Sequence, residues 1–452
     1  MTQSNFLTRS EAELRDIAQL AVEHAERIDG ARARASVSIG GGVNASVRSG
    51  QIDKAQRDGN QNLSVTVFVE GRSGSASTAA LDPASVKLAV EEAATIARNV
   101  QPDPDMDLAD PAWLAFEGPK PDLFAPDRDG VQALLDSALH LEQAAFAALP
   151  DGYDITIVEA GAATSDTGWA LAISGGFCRS MVSSSHARWC AAMARDADGQ
   201  AIEFADSSGC RGDRLDSLDT LAARVAARAA ARLGARTAPS MRGPVMFEAR
   251  MAMEFLQDTI GALDGMAQWR GASFLPDAIG RRIAADHVQL VEDPFEDFAL
   301  GSAPFDSEGV AGTRRALIED GVSRGYLTSS LSARRLGLRS TGNADGPYNL
   351  ELTSTREGGD LAAMRQRLGR GLVITAIKGG DTDPVTGTYT RAVGGYWVED
   401  GVFAYPVDDL TVAGRLPDML NNIVAIGSDV ERNAVLRSGS ILVDGIQVGG
   451  QA

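Results

Sequence analysis

The stretch GGYWVEDGVFAYPV, residues 394–407, decides how the second half of this 452-residue chain is read. Aromatic and β-branched residues flank Asp400-Gly401 on both sides, and an Asp-Gly link favours a two-residue hairpin because both turn positions need positive φ. The same spelling recurs at Asp320-Gly321 in RRALIEDGVSRGYLTSS and at Asp444-Gly445 in GSILVDGIQVGG. Hairpins are expected at all three. Residues 240–452 therefore read as a mainly antiparallel β domain, sheet or barrel-like.

Moving outward, GPVMFEARMAMEFLQDTIGAL (243–263) reads as one amphipathic, methionine-rich helix that opens this domain and carries Glu248 and Glu254. The helix LDSLDTLAARVAARAAARLG before it is expected to end at Gly234. It closes a middle α+β domain, 120–236, which also holds the helix VQALLDSALHLEQAAFAAL and strand-like runs at DITIVEAG, GWALAIS and RWCAAMARDADG. A proline- and aspartate-rich connector, QPDPDMDLADPAW, separates that domain from residues 1–115. There Ser10 and Glu13 spell a capping box, and Asp82-Pro83 starts a second helix. The stretches ASVSIG, VNASVRSG and LSVTVFVEG read as strands, with IGGGVNAS as a turn between the first two. The whole is an α+β protein, its amino-terminal domain mixing helices with antiparallel strands.

Composition excludes several functions. With 42 Lys+Arg against 61 Asp+Glu, the net charge of −19 repels a phosphate backbone or an anionic bilayer, so neither nucleic acid nor membrane is an expected partner. No apolar run reaches the roughly 18 residues of a membrane span, and the polar first residues lack a signal-peptide layout, which points to the cytoplasm. Cys178, Cys190 and Cys210 form no Cys-x-x-Cys pair and read as reduced core thiols.

Short catalytic patterns fail on context. Gly321-Val-Ser323-Arg-Gly325 matches a nucleophile elbow in spelling, but it lies in a hairpin and no histidine follows His287. Gly369 and Gly371 follow a helix capped by Asp360 and precede a strand, the reverse of a phosphate-binding loop. A hydrolytic zinc helix needs two imidazoles one turn apart. His24, His140, His186 and His287 are too widely spaced for that, and His186 with Cys190 offers at most half of a ligand set.

Two long tracts are more specific: SAPFDSEGVAGTRRALIEDGVSRGYLTSSLSARRLGLRSTGNADGPYNLEL (302–352) and GGDTDPVTGTYTRAVGGYWVEDGVFAYPVDDLTVAGRLPDMLNNIVAIGSDVE (379–431). In order and spelling they closely resemble the carboxy-terminal domain of the TldD/PmbA family, in its PmbA (TldE) branch. SVRSGQIDKAQRDGNQNLSVTVFVEGRSGSAST resembles that family's first domain. The resemblance implies one subunit of a heterodimeric cytoplasmic metallopeptidase that processes or degrades unfolded peptides. In that family the TldD-type subunit holds catalytic zinc with a His-Glu-x-x-x-His helix and a later cysteine, and the PmbA-type subunit lacks it.

On that alignment Phe247, Glu248 and Ala252 occupy the places of the two histidines and the glutamate, and no cysteine follows Cys210. No catalytic residue, metal or cofactor is therefore expected in this chain, and zinc is expected in a TldD-like partner. Gly342, Asn343, Asn349, Gly394, Gly395 and Tyr396 are candidates for lining a groove that takes an extended peptide as an added strand, or they satisfy tight turns. Arg314 and Arg315 are candidates for partner carboxylates. Two alternatives stay open: a peptide-binding scaffold or homodimer without a protease partner, and an autonomous peptidase using Asp381, Asp383 and Glu248 as acid and base.

Overall fold

Ser10 begins the first helix as the sequence expects, its hydroxyl accepting from Glu13 N while the Glu13 carboxylate reaches back to Ser10 N. In this computed structural model, which describes residues 6–127, 130–149, 154–195 and 200–450, that helix (α1, Glu11–Glu26) lies on a six-stranded sheet. The strands are β1 (Ala31–Arg48), β2 (Gln51–Val69), β3 (Arg72–Thr78), β4 (Asp154–Ile173), β5 (Phe177–Arg195) and β6 (Gln200–Gly209), ordered β3-β2-β1-β4-β5-β6. Three more helices pack on it: α2 (Pro83–Asn99, capped by Asp82), α3 (Val131–Ala147) and α4 (Leu218–Ala231). The last four residues of RWCAAMARDADG lie outside the described residues, as do residues 1–5 and 451–452.

The sheet runs across the boundary expected near residues 115–120. β1 pairs antiparallel with β4 from Arg34↔Ile173 to Val47↔Ala160. Odd-numbered β1 residues face the helices along its whole length: Ala33, Ala35 and Val37 meet α1 and α2, while Val43, Ala45 and Val47 meet α3 and α4. Gly40–Gly42 is not a turn. These glycines lie inside one continuous strand because the neighbours crowd it: a Cβ on Gly42 would meet Thr164 O at 2.7 Å and one on Gly41 would meet Asp58 O at 2.9 Å.

GPVMFEARMAMEFLQDTIGAL also departs from expectation. Its first residues form a strand, β7 (Met241–Phe247), and only then does the helix α5 (Ala249–Ala262) begin. Val245, Met246 and Phe247 are all fully buried, so the strand shows a continuous apolar run that periodicity cannot distinguish from helix. After α6 (Gly265–Arg270) come β8 (Val288–Asp293), β9 (Arg315–Glu319), β10 (Val322–Ser323), α7 (Ser330–Leu336) and β11 (Asn349–Ser354). The chain then runs through α8 (Leu361–Leu368), β12 (Gly371–Thr382), β13 (Thr388–Glu399), β14 (Val402–Arg415), α9 (Leu416–Asn421), β15 (Ile423–Ile426), β16 (Leu436–Ser438) and β17 (Ile441–Gly449).

Strands β10-β9-β8-β11-β16 make a five-stranded sheet, and β14-β13-β12-β7-β17-β15 make a six-stranded one. The second closes on itself because β14 also pairs with β17, giving the expected barrel-like arrangement. Asp400-Gly401 and Asp320-Gly321 turn their hairpins with φ of 50° and 73° in each pair. Asp444-Gly445 does not make a hairpin. It lies within β17, where Val443 and Ile446 face Val245 and Gly243, so one extra residue bulges out at Gly445 (φ 75°). The bulge lets a single strand serve β7, β14 and β15 around the ring.

Candidate functional site

The positions matched to a zinc helix fall at the junction of β7 and α5. Phe247 ends the strand, is fully buried, and packs against Phe255 and Tyr389. Ala252 is fully buried in the first turn of α5. Glu248 stands between them as the helix N-cap residue. Its N–H donates to Ile374 O at 3.0 Å, and its side chain makes no capping hydrogen bond but lies beside two arginines, one on α4 and one in the first turn of α5. Oε2 lies 3.3 Å from Arg250 Nη2, and Oε1 lies 3.9 Å from Arg228 Nη2.

These residues do not fit a zinc ion. A carboxylate flanked by two guanidiniums is neutralised, and their charge repels a divalent cation; Phe247 and Ala252 supply no donor atom.

Beside Glu248 opens a cavity of about 380 Å³ between the helical half and the barrel. Ala227 and Ala231 of α4, Leu361, Val373, Tyr396 and Phe403 form its apolar wall. Glu203, Arg228, Arg232, Glu248, Arg250 and Thr375 form the polar side. Arg232 lies deepest, its side chain 5% exposed, 3.0 Å from Asp408 Oδ2 and 3.3 Å from Glu203 Oε1. Arg228 donates from Nη1 to Phe204 O at 2.8 Å. Burial pulls the Arg228 pKa down, as does neighbouring Arg250; burial raises that of Glu203 against the pull of Arg232, Arg250 and Arg228. Burial likewise raises the Tyr396 phenol. Three buried donor atoms have no hydrogen-bond partner: Arg232 Nε and Nη1, and Arg250 Nε. Arg232 Nε is within ion-pair reach of Glu203, without the alignment of a hydrogen bond.

The groove candidates fall in two places. Gly394, Gly395 and Tyr396 lie on β13 beside this cavity: Tyr396 lines it, and Gly394 lets Arg232 and Asp408 approach, a Cβ there meeting Arg232 Nη1 at 2.5 Å. Gly395 passes directly under Val373 O. Gly342, Asn343 and Asn349 are buried elsewhere, around the five-stranded sheet. Asn343 donates to Glu292 at 2.7 Å and accepts from Arg315 at 3.0 Å; Asn349 donates to Ser302 Oγ at 2.7 Å and to Asp293 O at 2.8 Å. Gly342, with φ 74°, comes against Ala311 O. Arg314 and Arg315 have carboxylate partners within the chain, Asp293 and Glu292, each at 3.0 Å.

Asp381 and Asp383 do not converge on Glu248. Glu248 bonds to Ile374, and Asp381 lies seven residues further along β12, roughly 20 Å of strand. Asp383 caps the turn beyond, accepting from Val385 N and Thr386 N. Each histidine has a local partner: His24 pairs with Glu91, His140 with Asp219, His186 bonds Thr164 and Ala125 O, and His287 bonds Ser354 and Ile423 O. All three cysteines are free thiols, and burial pushes Cys190 up to about 12.

Residues 240–450 match the family described as PmbA/TldA metallopeptidase C-terminal domain, and residues 33–97 match PmbA/TldA metallopeptidase domain 1. The chain is 34% identical over 420 residues to Metalloprotease PmbA of Escherichia coli O157:H7, covering 93% of this chain and 92% of that protein. It belongs to the PmbA/TldD metallopeptidase family. Within it the PmbA/TldE branch is supported. Metalloprotease PmbA homolog of Haemophilus influenzae is 32% identical over 448 residues, 98% of each chain. The crystal structure of TldE from Thermococcus kodakarensis shares the fold, with a TM-score of 0.81 at 16% identity over 97% of this chain and 100% of that one. Among the described residues no helix is long and apolar enough to cross a membrane.

Sequence reasoning missed the arginines. Arg224 and Arg228 on α4 and Arg232 at its C-cap stand one turn apart, a stripe visible in LDSLDTLAARVAARAAARLG, but the alanines beside it also spell an ordinary packing face. It also missed the length of β2. Residues 51–62 are polar and exposed on both faces, so no alternation marks them, and their pairing with β1 alone makes them strand.

Proposed function

We propose that this chain is the non-catalytic subunit of a heterodimeric cytoplasmic metallopeptidase, working with a TldD-like partner that carries the zinc and processing or degrading unfolded peptides. The observation that carries the reading is the environment of Glu248. At the position that the family resemblance places on the zinc helix, this chain has a carboxylate neutralised by Arg228 and Arg250, flanked by Phe247 and Ala252, which have no donor atoms. Such a carboxylate cannot lower the pKa of water as a metal does. When bound in the partner, zinc would supply the Lewis acid and the activated water; this chain's residues would bind and orient peptide.

Two features support a peptide-handling role. Residues Gln51–Asn62 of β2 pair with β1, while β3 begins its pairing only at Leu63, so among the described residues no strand occupies their outer edge. An edge of that length can take an extended peptide or a partner strand through main-chain hydrogen bonds. The cavity beside Glu248 offers a second, side-chain-lined surface. A free edge equally suits a second copy of this chain, the scaffold or homodimer alternative.

Purified chain should neither retain stoichiometric zinc nor cleave unfolded peptide. Mixed with a TldD-like subunit it should co-elute as a heterodimer that hydrolyses peptide and is stopped by a chelator. Chelator-insensitive cleavage by the isolated chain would contradict the proposal and favour an autonomous site.

A further inference from the structure

The cavity beside Glu248 carries more guanidinium donors than its neighbours accept. Three arginines present up to fifteen N–H groups on the inventory of about five each. Their hydrogen bonds in the structure go to Phe204 O, Thr375 O, Glu248 and Asp408. Neither Arg228 nor Arg250 is closed in a bidentate fork with a carboxylate: Glu248 touches one nitrogen of each, at 3.9 Å and 3.3 Å. Arg232, at 5% exposure, keeps Nε and Nη1 without a hydrogen-bond partner, and Arg250 keeps Nε so.

The unbonded nitrogens themselves are fully buried, but Arg228 and Arg250, partly exposed and without a bidentate partner, favour an added anion, because a charge-assisted bond is stronger than a neutral one. Access is open, since the side chains of Arg228 and Arg250 are 18% and 22% exposed.

The opposite wall is apolar. Ala227, Ala231, Leu361, Val373 and Phe403 line it, and a volume of about 380 Å³ lies in the range of small-ligand sites. An occupant with a carboxylate at one end and an aliphatic group beside it matches both walls. We propose that this cavity binds the carboxy-terminal residue of a peptide, its main-chain carboxylate bridging Arg228 and Arg250 above Arg232 and its aliphatic side chain against Val373, Leu361 and Phe403. The inference rests on the peptide-handling role proposed above and names the part of the peptide this subunit holds. Glu248 then acts as the internal counter-ion that the incoming carboxylate competes with, and the cavity measures out a chain end rather than an internal segment.

The test uses the full chain and three synthetic hexapeptides, read by fluorescence anisotropy: one ending in leucine with a free carboxylate, its carboxy-terminal amide, and an amide whose last residue is glutamate. The free acid should bind about ten- to hundredfold tighter than either amide, the worth of one or two charge-assisted contacts. Arg250→Gln, checked for folding by circular dichroism, should bring the acid down to the level of the amide. Glu248→Gln should tighten the acid severalfold by removing its competitor, and this variant serves even if an arginine variant fails to fold. Equal binding of acid and leucine amide, or an acid affinity unmoved by Arg250→Gln and Glu248→Gln, would overturn the assignment. Glutamate amide binding as tightly as the acid would overturn it in favour of a side-chain carboxylate. Cleavage by the mixed heterodimer without acid preference would remove this inference and leave the proposed function standing. Acid preference without cleavage in the mixture would do the reverse.

Discussion

Two arginine–carboxylate clusters in this molecule resemble each other in composition and differ in closure. Around the five-stranded sheet, Glu292 is fully buried and accepts from Arg315 Nε at 3.0 Å, Asn343 Nδ2 at 2.7 Å and Tyr348 N at 3.0 Å. Arg315 spends its remaining nitrogens on Tyr326 O and Asn343 Oδ1. Beside β7 and α5, Arg232 is held by Asp408 at 3.0 Å and by Glu203 at 3.3 Å, but Arg228 and Arg250 share only the longer contacts to Glu248, at 3.9 Å and 3.3 Å, and Arg232 Nη1 and Arg250 Nε have no hydrogen-bond partner. The first cluster matches donor to acceptor and fixes the fold. The second leaves Arg228 and Arg250 partly exposed on a cavity wall without a bidentate carboxylate partner, and is suited to a ligand. Burial alone does not separate a keystone from a site; donor–acceptor balance does.

The largest expected effect breaks the closed cluster. Glu292→Ala removes a fully buried carboxylate and leaves Arg315 Nε, Asn343 Nδ2 and Tyr348 N without their shared acceptor, which should cost about 3–5 kcal/mol in urea unfolding, whereas Glu248→Ala, whose carboxylate is partly exposed, should cost no more than about 1 kcal/mol. Equal costs would erase the distinction. Next, Gly395→Ala places a Cβ against Val373 O and must spread β12 from β13, at about 1–3 kcal/mol. Because Tyr396 follows directly, the same variant should also weaken binding of the free-acid peptide.

A smaller effect is pH-linked. Asp306, in the loop before β9, is pushed up to about 7, chiefly by burial and by Glu308, against the N–H groups of Ala344 and Val310 that favour its charge. A carboxyl raised in the folded state holds a proton that the unfolded chain has already released. Its contribution to stability is therefore fully present below its ordinary value of 3.8 and is lost progressively as pH rises to about 7. The urea midpoint of the wild type relative to that of Asp306→Asn should accordingly fall between about pH 4 and pH 7, the wild type losing more of its stability over that interval. Parallel curves would contradict the assignment.

How much of this was legible in the sequence follows from periodicity and chemistry. The capping box at Ser10, the Asp82 and Asp360 caps and two of the three Asp-Gly hairpins are local signals, and the structure repeats them. The barrel-like arrangement was expected, but its strand β7 was not: Val245, Met246 and Phe247 are buried in succession and read as part of a helix. Asp444-Gly445 shows the same limit, since turn and bulge use the same left-handed glycine and only the partner strands decide between them. At the site, Glu248 read as an isolated carboxylate. Its arginine neighbours come from α4 and from two residues further along the chain, and only the packing of α4 against the barrel brings them together.

The central claim, which belongs to the proposed function, is that the arginine-lined cavity at Glu248 is not a metal site. Zinc content of the isolated full-length chain, purified with added zinc and then desalted, tests it most directly. The account predicts far less than one zinc per chain, with zinc appearing only when a TldD-like subunit is present. One tightly held zinc per isolated chain, lost on Glu248→Ala, would contradict it.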